Sequence, residues 1–222
     1  MGGSSKEWTL KYWLSGEDAP VDGKWIDRLN PGIAWTLGSA VAYDAVNGRY
    51  HMLGRNNNGS CSLSGGYAKY NFGYHFRMVL QGTLNDQPNT NTGHLIDFAS
   101  VVGTSASYEA AGWGCKSGAW IANYKLYGNS TGSLYNPTAN ESLPKPVNLP
   151  YDFIVEFGSE AVTNSTSRMY ILFENNYYYG PEYTNLKIDN FQNKDFFIGR
   201  GYSGAAYGQD FYLNDWKIYV EQ

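Results

Sequence analysis

Three stretches of the sequence bring aromatic rings together with amide or guanidinium groups. In one, two asparagines precede three consecutive tyrosines; in another, two tryptophans and an asparagine surround a glycine-rich turn; in the third, two tyrosines follow an arginine in a Gly/Ala loop. Rigid aromatic rings offer large contact area at low entropic cost, and planar polar groups nearby can hydrogen-bond to hydroxyls. This combination is what sugar recognition needs. The candidate ligand-binding residues are Trp113, Trp120, Asn123, Tyr177, Tyr178, Tyr179, Arg200, Tyr202 and Tyr207.

The tyrosine triplet 177–179 cannot direct all its rings to one side, since successive residues of a strand point to opposite faces. At least one of these rings is therefore expected to be exposed. The alternative is that the rings only fill the core or brace turns. With 20 Tyr, 7 Trp and 10 Phe in 222 residues, the chain has more rings than one core of this size readily uses, which favours a ligand-facing subset.

Catalysis is the rival hypothesis. The Glu-x-Asp-x-x-Glu motif of laminarinase-type glycosidases is absent, because Glu156 and Glu160 lack the intervening aspartate. Glycoside hydrolysis needs two carboxyl groups about 5 to 9.5 Å apart. Alternatively, a polysaccharide lyase could use His75, Arg77 and a tyrosine, because His75 and Arg77 share a strand face. The carboxylates that could pair in space are Asp97, Glu156, Glu174, Asp189 and Asp215.

Composition narrows the class of protein. The formal net charge of −4 and the pI near 5.3 argue against nucleic acid as a partner, because nucleic-acid binding needs a basic surface. No apolar run approaches the 18 or so residues that a membrane-spanning helix requires. Cys61 and Cys115 could form a disulfide in an exported protein or remain as two buried thiols.

The elements that must position these side chains are short strands. The first predicted strand directs Trp8, Leu10, Tyr12 and Leu14 to one face and Trp13 to the other. The pair Asn47-Gly48 indicates a hairpin. Apolar and polar residues also alternate clearly in 151–157 and 168–174. The final strand, 210–220, is expected to pair centrally or beside the N-terminal strand. Roughly a dozen strands without an amphipathic helix predict an all-β, two-sheet antiparallel β-sandwich. Residues 1–5 are interpreted as an added start or a tether, and 6–222 as one sandwich domain.

The closing strands resemble a known family. Phe197-Ile-Gly-Arg200 followed by Leu213-Asn-Asp-Trp-Lys-Ile-Tyr219 is similar to the end of LamG-like, concanavalin A-like lectin/glucanase jelly rolls. The match covers about the last 50 residues. It departs from the family at Phe211, where glycine is common, and at Asn214, which stands in the place of the first acid. The resemblance implies a jelly-roll sandwich of the kind found in bacterial surface glycan-binding proteins.

The resemblance also implies a calcium ion, because sandwiches of this family often hold one at a sheet edge. Asp, Asn and backbone oxygens suit this hard cation. Turn or capping roles are the alternative for each of these residues. No cofactor is expected to be required, with Ca²⁺ as the candidate ion. Its candidate ligands are Asp27, Asp210, Asn214 and Asp215.

The prediction is therefore a non-catalytic carbohydrate-binding sandwich whose partner is a polysaccharide or glycan. It is expected to be exported to the cell surface or medium, as a monomer or as a module of a larger surface protein whose signal or lipid anchor lies outside this sequence. A glycoside hydrolase or polysaccharide lyase on the same fold is the first alternative. An adhesion or structural module that binds protein is the second.

Overall fold

The computed structural model describes residues 7–53, 59–64, 69–70, 73, 75–86, 92–99, 109–116, 119–125, 134–135, 147–158, 165–186, 195–199 and 210–222. None of these residues belongs to a helix long and apolar enough to cross a membrane. Within them the chain forms sixteen strands: β1 (Trp8–Ser15), β2 (Lys24–Ile26), β3 (Ala34–Leu37), β4 (Val41–Asp44), β5 (Arg49–Met52), β6 (Cys61–Leu63), β7 (Phe76–Asp86), β8 (Thr92–Ala99), β9 (Glu109–Lys116), β10 (Ala119–Lys125), β11 (Leu134–Tyr135), β12 (Pro150–Gly158), β13 (Ser165–Phe173), β14 (Asn176–Leu186), β15 (Asp195–Ile198) and β16 (Asp210–Glu221).

The strands form two antiparallel sheets, which confirms the predicted β-sandwich. The first sheet has the order β14-β13-β12-β7-β16-β5-β4, with β1 also paired to β16. The second has the order β11-β10-β9-β8-β15-β6-β3-β2. The inner faces of the two sheets meet in one apolar core, which includes Trp25 and Trp35 from the second sheet and Tyr50, Phe153 and Trp216 from the first.

The closing strand β16 lies at the centre of the first sheet. One edge pairs with β7 along its length, and the other pairs with β5 at Phe211–Leu213 and with β1 at Asp215–Glu221. It is therefore both central and next to the N-terminal strand, as expected. A register shift at Asn214 lets Leu213 and Trp216 both point into the core, where each is fully buried.

Strand β1 differs from its predicted alternation. A register shift between Leu10 and Tyr12 places Trp8 opposite Glu221 and Trp13 opposite Lys217. An extra residue in one strand reverses the facing of everything beyond it. Trp8 and Trp13 therefore lie on the same outer side of the first sheet, whereas the strict alternation had placed them on opposite sides.

Cys61 is a buried free thiol in β6. Burial raises the pKa of this thiol far above its ordinary value, so it behaves as an inert apolar group. The side chain of Cys115 lies outside the described residues.

Gly82 is required where β7 approaches β16. A Cβ atom at this position would lie 2.2 Å from the carbonyl oxygen of Tyr212. We expect Gly82→Ala to lower the free energy of unfolding by about 1 to 3 kcal/mol, because the strand must move to relieve the overlap. Urea denaturation measures this loss. The matched control is Gly32→Ala, whose added methyl meets no atom within 4 Å and should change stability little; equal losses in the two variants would contradict the packing argument.

Candidate functional site

The side of the first sheet that points away from the second sheet, here called the outer face, carries three rows of cross-strand neighbours. The register of the strands defines each row. The charged row consists of Glu182, Arg168, Glu156, Arg77 and Tyr219. The apolar row consists of Tyr179, Tyr170, Ile154, Val79, Lys217 and Trp13. The polar row consists of Tyr177, Leu172, Asp152, Gln81 and Asp215.

The apolar row forms a second, smaller hydrophobic cluster outside the main core. Val79, Ile154 and Tyr170 are buried there, and Leu172 and Tyr219 pack against them. Burial and the negative charge of the Glu156 carboxylate raise the pKa of the Tyr170 phenol well above its ordinary value. Tyr170 therefore stays neutral and gives the neighbouring rings a rigid apolar base.

Two tyrosines of β14 stand exposed above this base, and we call Tyr177 and Tyr179 the tyrosine platform. Their side chains are 55% and 51% exposed, their ring centroids lie 6.1 Å apart, and the ring planes differ by 23°. The Tyr170 ring lies 5.1 Å from Tyr179 and 5.9 Å from Tyr177. Tyr178 lies on the opposite side of β14 and packs against the main core, so it is not part of the platform.

Local interactions hold the platform in place. The guanidinium carbon of Arg168 lies 4.5 Å from the Tyr179 ring centroid, and its Nε donates a 2.8 Å hydrogen bond to the Gly180 carbonyl. The turn that leads into β14 has Glu174 and Asn175 in the left-handed region, with φ of 51° and 63°. Two consecutive positive φ values are typical of a tight two-residue hairpin, which fixes where β14 begins and which tyrosines face outwards.

An open cleft of about 460 Å³ adjoins the platform at the end of the polar row. Leu172, which lies in its wall, is the cross-strand partner of Tyr177. The cleft therefore continues the surface that the platform begins. Its walls are formed by Gln81, Gly82, Pro150, Tyr151, Asp152, Leu172, Glu174, Asn175 and Asn214.

A hydrogen-bond network orients the polar row. Lys217 Nζ donates to Gln81 Oε1 at 2.6 Å and to Asp215 Oδ2 at 3.2 Å. Gln81 Nε2 donates in turn to Asp152 Oδ1 at 3.1 Å. Burial raises the pKa of the Asp152 carboxyl, while the Gln81 hydrogen bond and the Lys217 charge oppose that rise. These side chains are held in place before any ligand arrives.

Trp13 lies at the far end of the apolar row and is less available for stacking. Arg28 lies 4.3 Å and Lys217 Nζ 5.1 Å from its ring. Its indole Nε1 donates a 2.6 Å hydrogen bond to Asp215 Oδ1. The exposed aromatic area of the outer face is therefore concentrated at the tyrosine platform.

The other predicted ligand-binding residues lie in the second sheet or outside the described residues. Trp113 lies in β9, and Trp120 and Asn123 lie in β10, the neighbouring strand of the second sheet. They belong to the opposite sheet from the tyrosines, and their side chains are not described. Arg200, Tyr202 and Tyr207 lie outside the described residues.

The predicted calcium ligands already have protein partners in most cases. Asp27 accepts hydrogen bonds from the backbone of Trp13, Leu29 and Asn30. The carboxylates of Asp210 and Asp215 likewise accept protein donors. Within the described part of the chain, no three His, Cys, Asp or Glu side chains are grouped to hold a metal ion. The calcium site stays a prediction.

Asn214 is the one predicted calcium ligand that lies in the wall of the cleft. Its position comes from the register shift in β16. An amide at this position can form hydrogen bonds with a sugar hydroxyl, and its oxygen could equally bind a cation.

Some of the residues considered for catalysis form ion pairs. His75 and Arg77 do share the outer face, as predicted, but His75 Nδ1 lies 2.8 Å from the Glu221 carboxylate and Arg77 lies 3.0 Å from Glu156. Glu174 is exposed in the wall of the cleft, the side chain of Asp97 is not described, and Asp189 lies outside the described residues.

Sequence reasoning missed Gln81, Asp152 and Leu172 as members of one site, whereas Asn175 is one of the two asparagines noted before the tyrosine triplet. The alternation in 151–157 does place Asp152 opposite the core-facing Tyr151 and Phe153. That signal could have identified Asp152 as a residue of the solvent side.

A scan against protein-family models found no match, and a search of curated sequences found none either. Solved structures with a similar fold include a Trypanosoma rangeli sialidase in complex with sialic acid, with 14% identity, a TM-score of 0.64 and coverage of 96% of this chain and 31% of that one. The receptor-binding domain of botulinum neurotoxin type G has 13% identity, a TM-score of 0.57 and coverage of 96% and 48%. The CBM2 module of the evolved Dit protein of Lactobacillus casei BL23 phage J-1 has 12% identity, a TM-score of 0.50 and coverage of 98% of both chains.

This chain thus spans under a third of the sialidase and about half of the neurotoxin domain, whereas it spans nearly all of the phage module. At such identities the likeness is one of fold. The chain has the same kind of β-sandwich as these proteins.

Proposed function

We propose that this protein binds carbohydrate without transforming it, at the outer face of the first sheet. The observation that carries the proposal is the tyrosine platform: two exposed, nearly parallel rings beside an open cleft with amide and carboxylate walls. The platform would stack on the C–H face of a sugar ring. The cleft would receive the hydroxyls of that sugar or of the next one along the chain.

Aromatic stacking is the source of affinity in this proposal. Tyrosine has an apolar ring and few rotatable bonds, so it loses little entropy when it is covered. The Tyr177 and Tyr179 rings are further restrained by Tyr170 beneath them and by Arg168 beside Tyr179. A surface that is ordered before binding keeps more of the contact energy.

Planar polar groups are the source of orientation. Gln81, Asp152, Asn175 and Asn214 lie in the wall of the cleft, and their amides and carboxylate can donate to and accept from hydroxyls. Gln81 and Asp152 are already held by the network that starts at Lys217. A sugar can therefore bind without reorganising them.

The structural neighbours support this proposal at the level of fold. One sialidase structure contains sialic acid, a botulinum neurotoxin DC binding domain is in complex with SialylT, and the phage module is a CBM2 module. Proteins that contain this kind of sandwich therefore include ones that bind carbohydrate. Membership of the LamG-like family and export to the cell surface are further parts of the proposal.

A glycan array followed by an activity assay tests the proposal. We expect the purified protein to bind a subset of immobilised glycans and to release no new reducing or unsaturated ends from the corresponding polysaccharides. Product release would assign the site to a hydrolase or lyase. Failure to bind any glycan, together with capture of a protein partner, would instead favour an adhesion module.

A further inference from the structure

The charge of the cleft is the feature that most restricts its ligand. Its wall contains the carboxylates of Asp152 and Glu174 and the amides of Gln81, Asn175 and Asn214. No lysine or arginine is among the described residues that line it. A ligand in this cleft therefore meets carboxylates and amides, and no described lysine or arginine of the wall is there to pair with an acidic group.

Two described cations lie near this region, and each of them already has protein partners. The Lys217 ammonium lies 3.2 Å from the Asp215 carboxylate and donates to Gln81 at 2.6 Å. Arg168 donates to the Gly180 carbonyl, lies beside the Tyr179 ring and stands between Glu156 and Glu182 in the charged row. Asp215 offsets the Lys217 charge, so the carboxylates of the cleft keep a negative excess.

We propose that the cleft selects neutral glycans with adjacent free hydroxyls and discriminates against glycans that carry sialic acid, uronic acid or sulfate. This inference rests on the proposed carbohydrate-binding function. Carboxylates accept hydrogen bonds from hydroxyls and repel other anions at short range. The ligand class would then differ from the sialic acid that the sialidase neighbour binds.

The turn that carries Glu174 makes this selectivity adjustable. Glu174 lies at the tip of the β13–β14 hairpin, where it is exposed to solvent and forms part of the cleft wall. Removing its charge leaves the hairpin intact, because glutamine has the same shape. An acidic glycan should then be repelled by one carboxylate, Asp152, instead of two.

Matched glycan pairs test the inference. Dissociation constants would be measured for a neutral oligosaccharide that the array selects and for its sialylated or uronate-containing counterpart, at low and at high salt. We expect the neutral member to bind about tenfold more tightly or better at low salt, and the gap to narrow at high salt because screening weakens charge repulsion. Glu174→Gln should narrow the difference in affinity as well. The control is Glu7→Gln, which should leave the difference unchanged, because Glu7 is exposed and precedes β1 beside the C-terminal end of β16, away from the cleft.

The outcomes separate the two proposals. Equal or tighter binding of the acidic member, or a gap that Glu174→Gln leaves unchanged, would overturn the neutral-ligand inference while leaving carbohydrate binding in place. Absence of binding to every glycan would overturn both.

Discussion

Replacing Tyr177 or Tyr179 with alanine is expected to weaken glycan binding about 5- to 30-fold for each ring, which corresponds to roughly 1 to 2 kcal/mol. Both rings are half-exposed and stand beside the cleft, so their contact area is available to a ligand. Because these rings lie outside the main core and lose only their contacts with Tyr170 and Arg168, each substitution should lower the free energy of unfolding by about 1 kcal/mol. Isothermal titration calorimetry and urea denaturation measure the two effects.

Tyr178 provides the matched control on the same strand. Its ring packs against the main core, so Tyr178→Phe removes only a hydroxyl on the inner side and should leave glycan affinity unchanged. Tyr178→Ala should cost about 2 to 3 kcal/mol of stability through the loss of packing. If Tyr178→Phe weakened binding while Tyr177→Ala did not, the ligand would not contact the outer face, which would contradict the proposed site.

Asp27→Ala is expected to cause the largest loss of stability, about 3 to 4 kcal/mol. Asp27 is fully buried and accepts the backbone N–H groups of Trp13, Leu29 and Asn30 at 3.1, 3.0 and 2.8 Å. Alanine leaves three donors unpaired, and each unpaired buried donor costs roughly 1 to 3 kcal/mol. Urea denaturation with and without added Ca²⁺ measures the loss, which should be the same in both conditions. A loss seen only with Ca²⁺ present would identify Asp27 as a calcium ligand.

The pH dependence of the same residue gives an independent check. Burial raises the pKa of Asp27 above its ordinary value of 3.8, against the lowering effect of its hydrogen bonds. The folded state therefore binds the proton more tightly than the unfolded state does, and the ionised carboxyl stabilises the fold less than the protonated carboxyl would. This deficit should disappear as the pH falls through the raised pKa. The stability of the natural protein relative to Asp27→Asn should thus grow on acidification from neutral pH, and a relative loss would contradict the direction of the pKa shift.

Local signals in the sequence were enough to predict much of the fold. The Asn47-Gly48 hairpin joins β4 to β5, with Gly48 at a positive φ of 58°, because this turn needs a residue tolerant of that conformation. The alternating stretches 151–157 and 168–174 correspond to β12 and β13. These patterns report which side of a strand is buried, and they depend only on nearby residues.

The candidate site depends on register, which local patterns do not reveal. The cleft and the platform draw on β7, β12, β13, β14 and β16, and Gln81 meets Asp152 only because β7 pairs with β12 across 71 positions of sequence. The triplet 177–179 was conspicuous because its tyrosines are adjacent. Gln81 and Asp152 were not, since each is an ordinary polar residue of an alternating strand until the sheet is assembled.

Register shifts are the second reason that the candidate site could not be predicted from the sequence. The shift between Leu10 and Tyr12 brings Trp8 onto the same outer side as Trp13, and the shift at Asn214 places that amide at the cleft. A bulge depends on the partner strand as much as on its own residues. The sequence of either strand alone therefore does not indicate it.

Hydroxyl-radical footprinting of the glycan complex tests the location of the binding site most directly. With the array-selected glycan bound, oxidation of Tyr177 and Tyr179 should fall, while oxidation of Tyr43, which lies on the edge strand β4, should not change. Protection confined to the β9–β10 segment with Trp113 and Trp120, or absent from both tyrosines, would contradict the assignment of the site to the outer face of the first sheet.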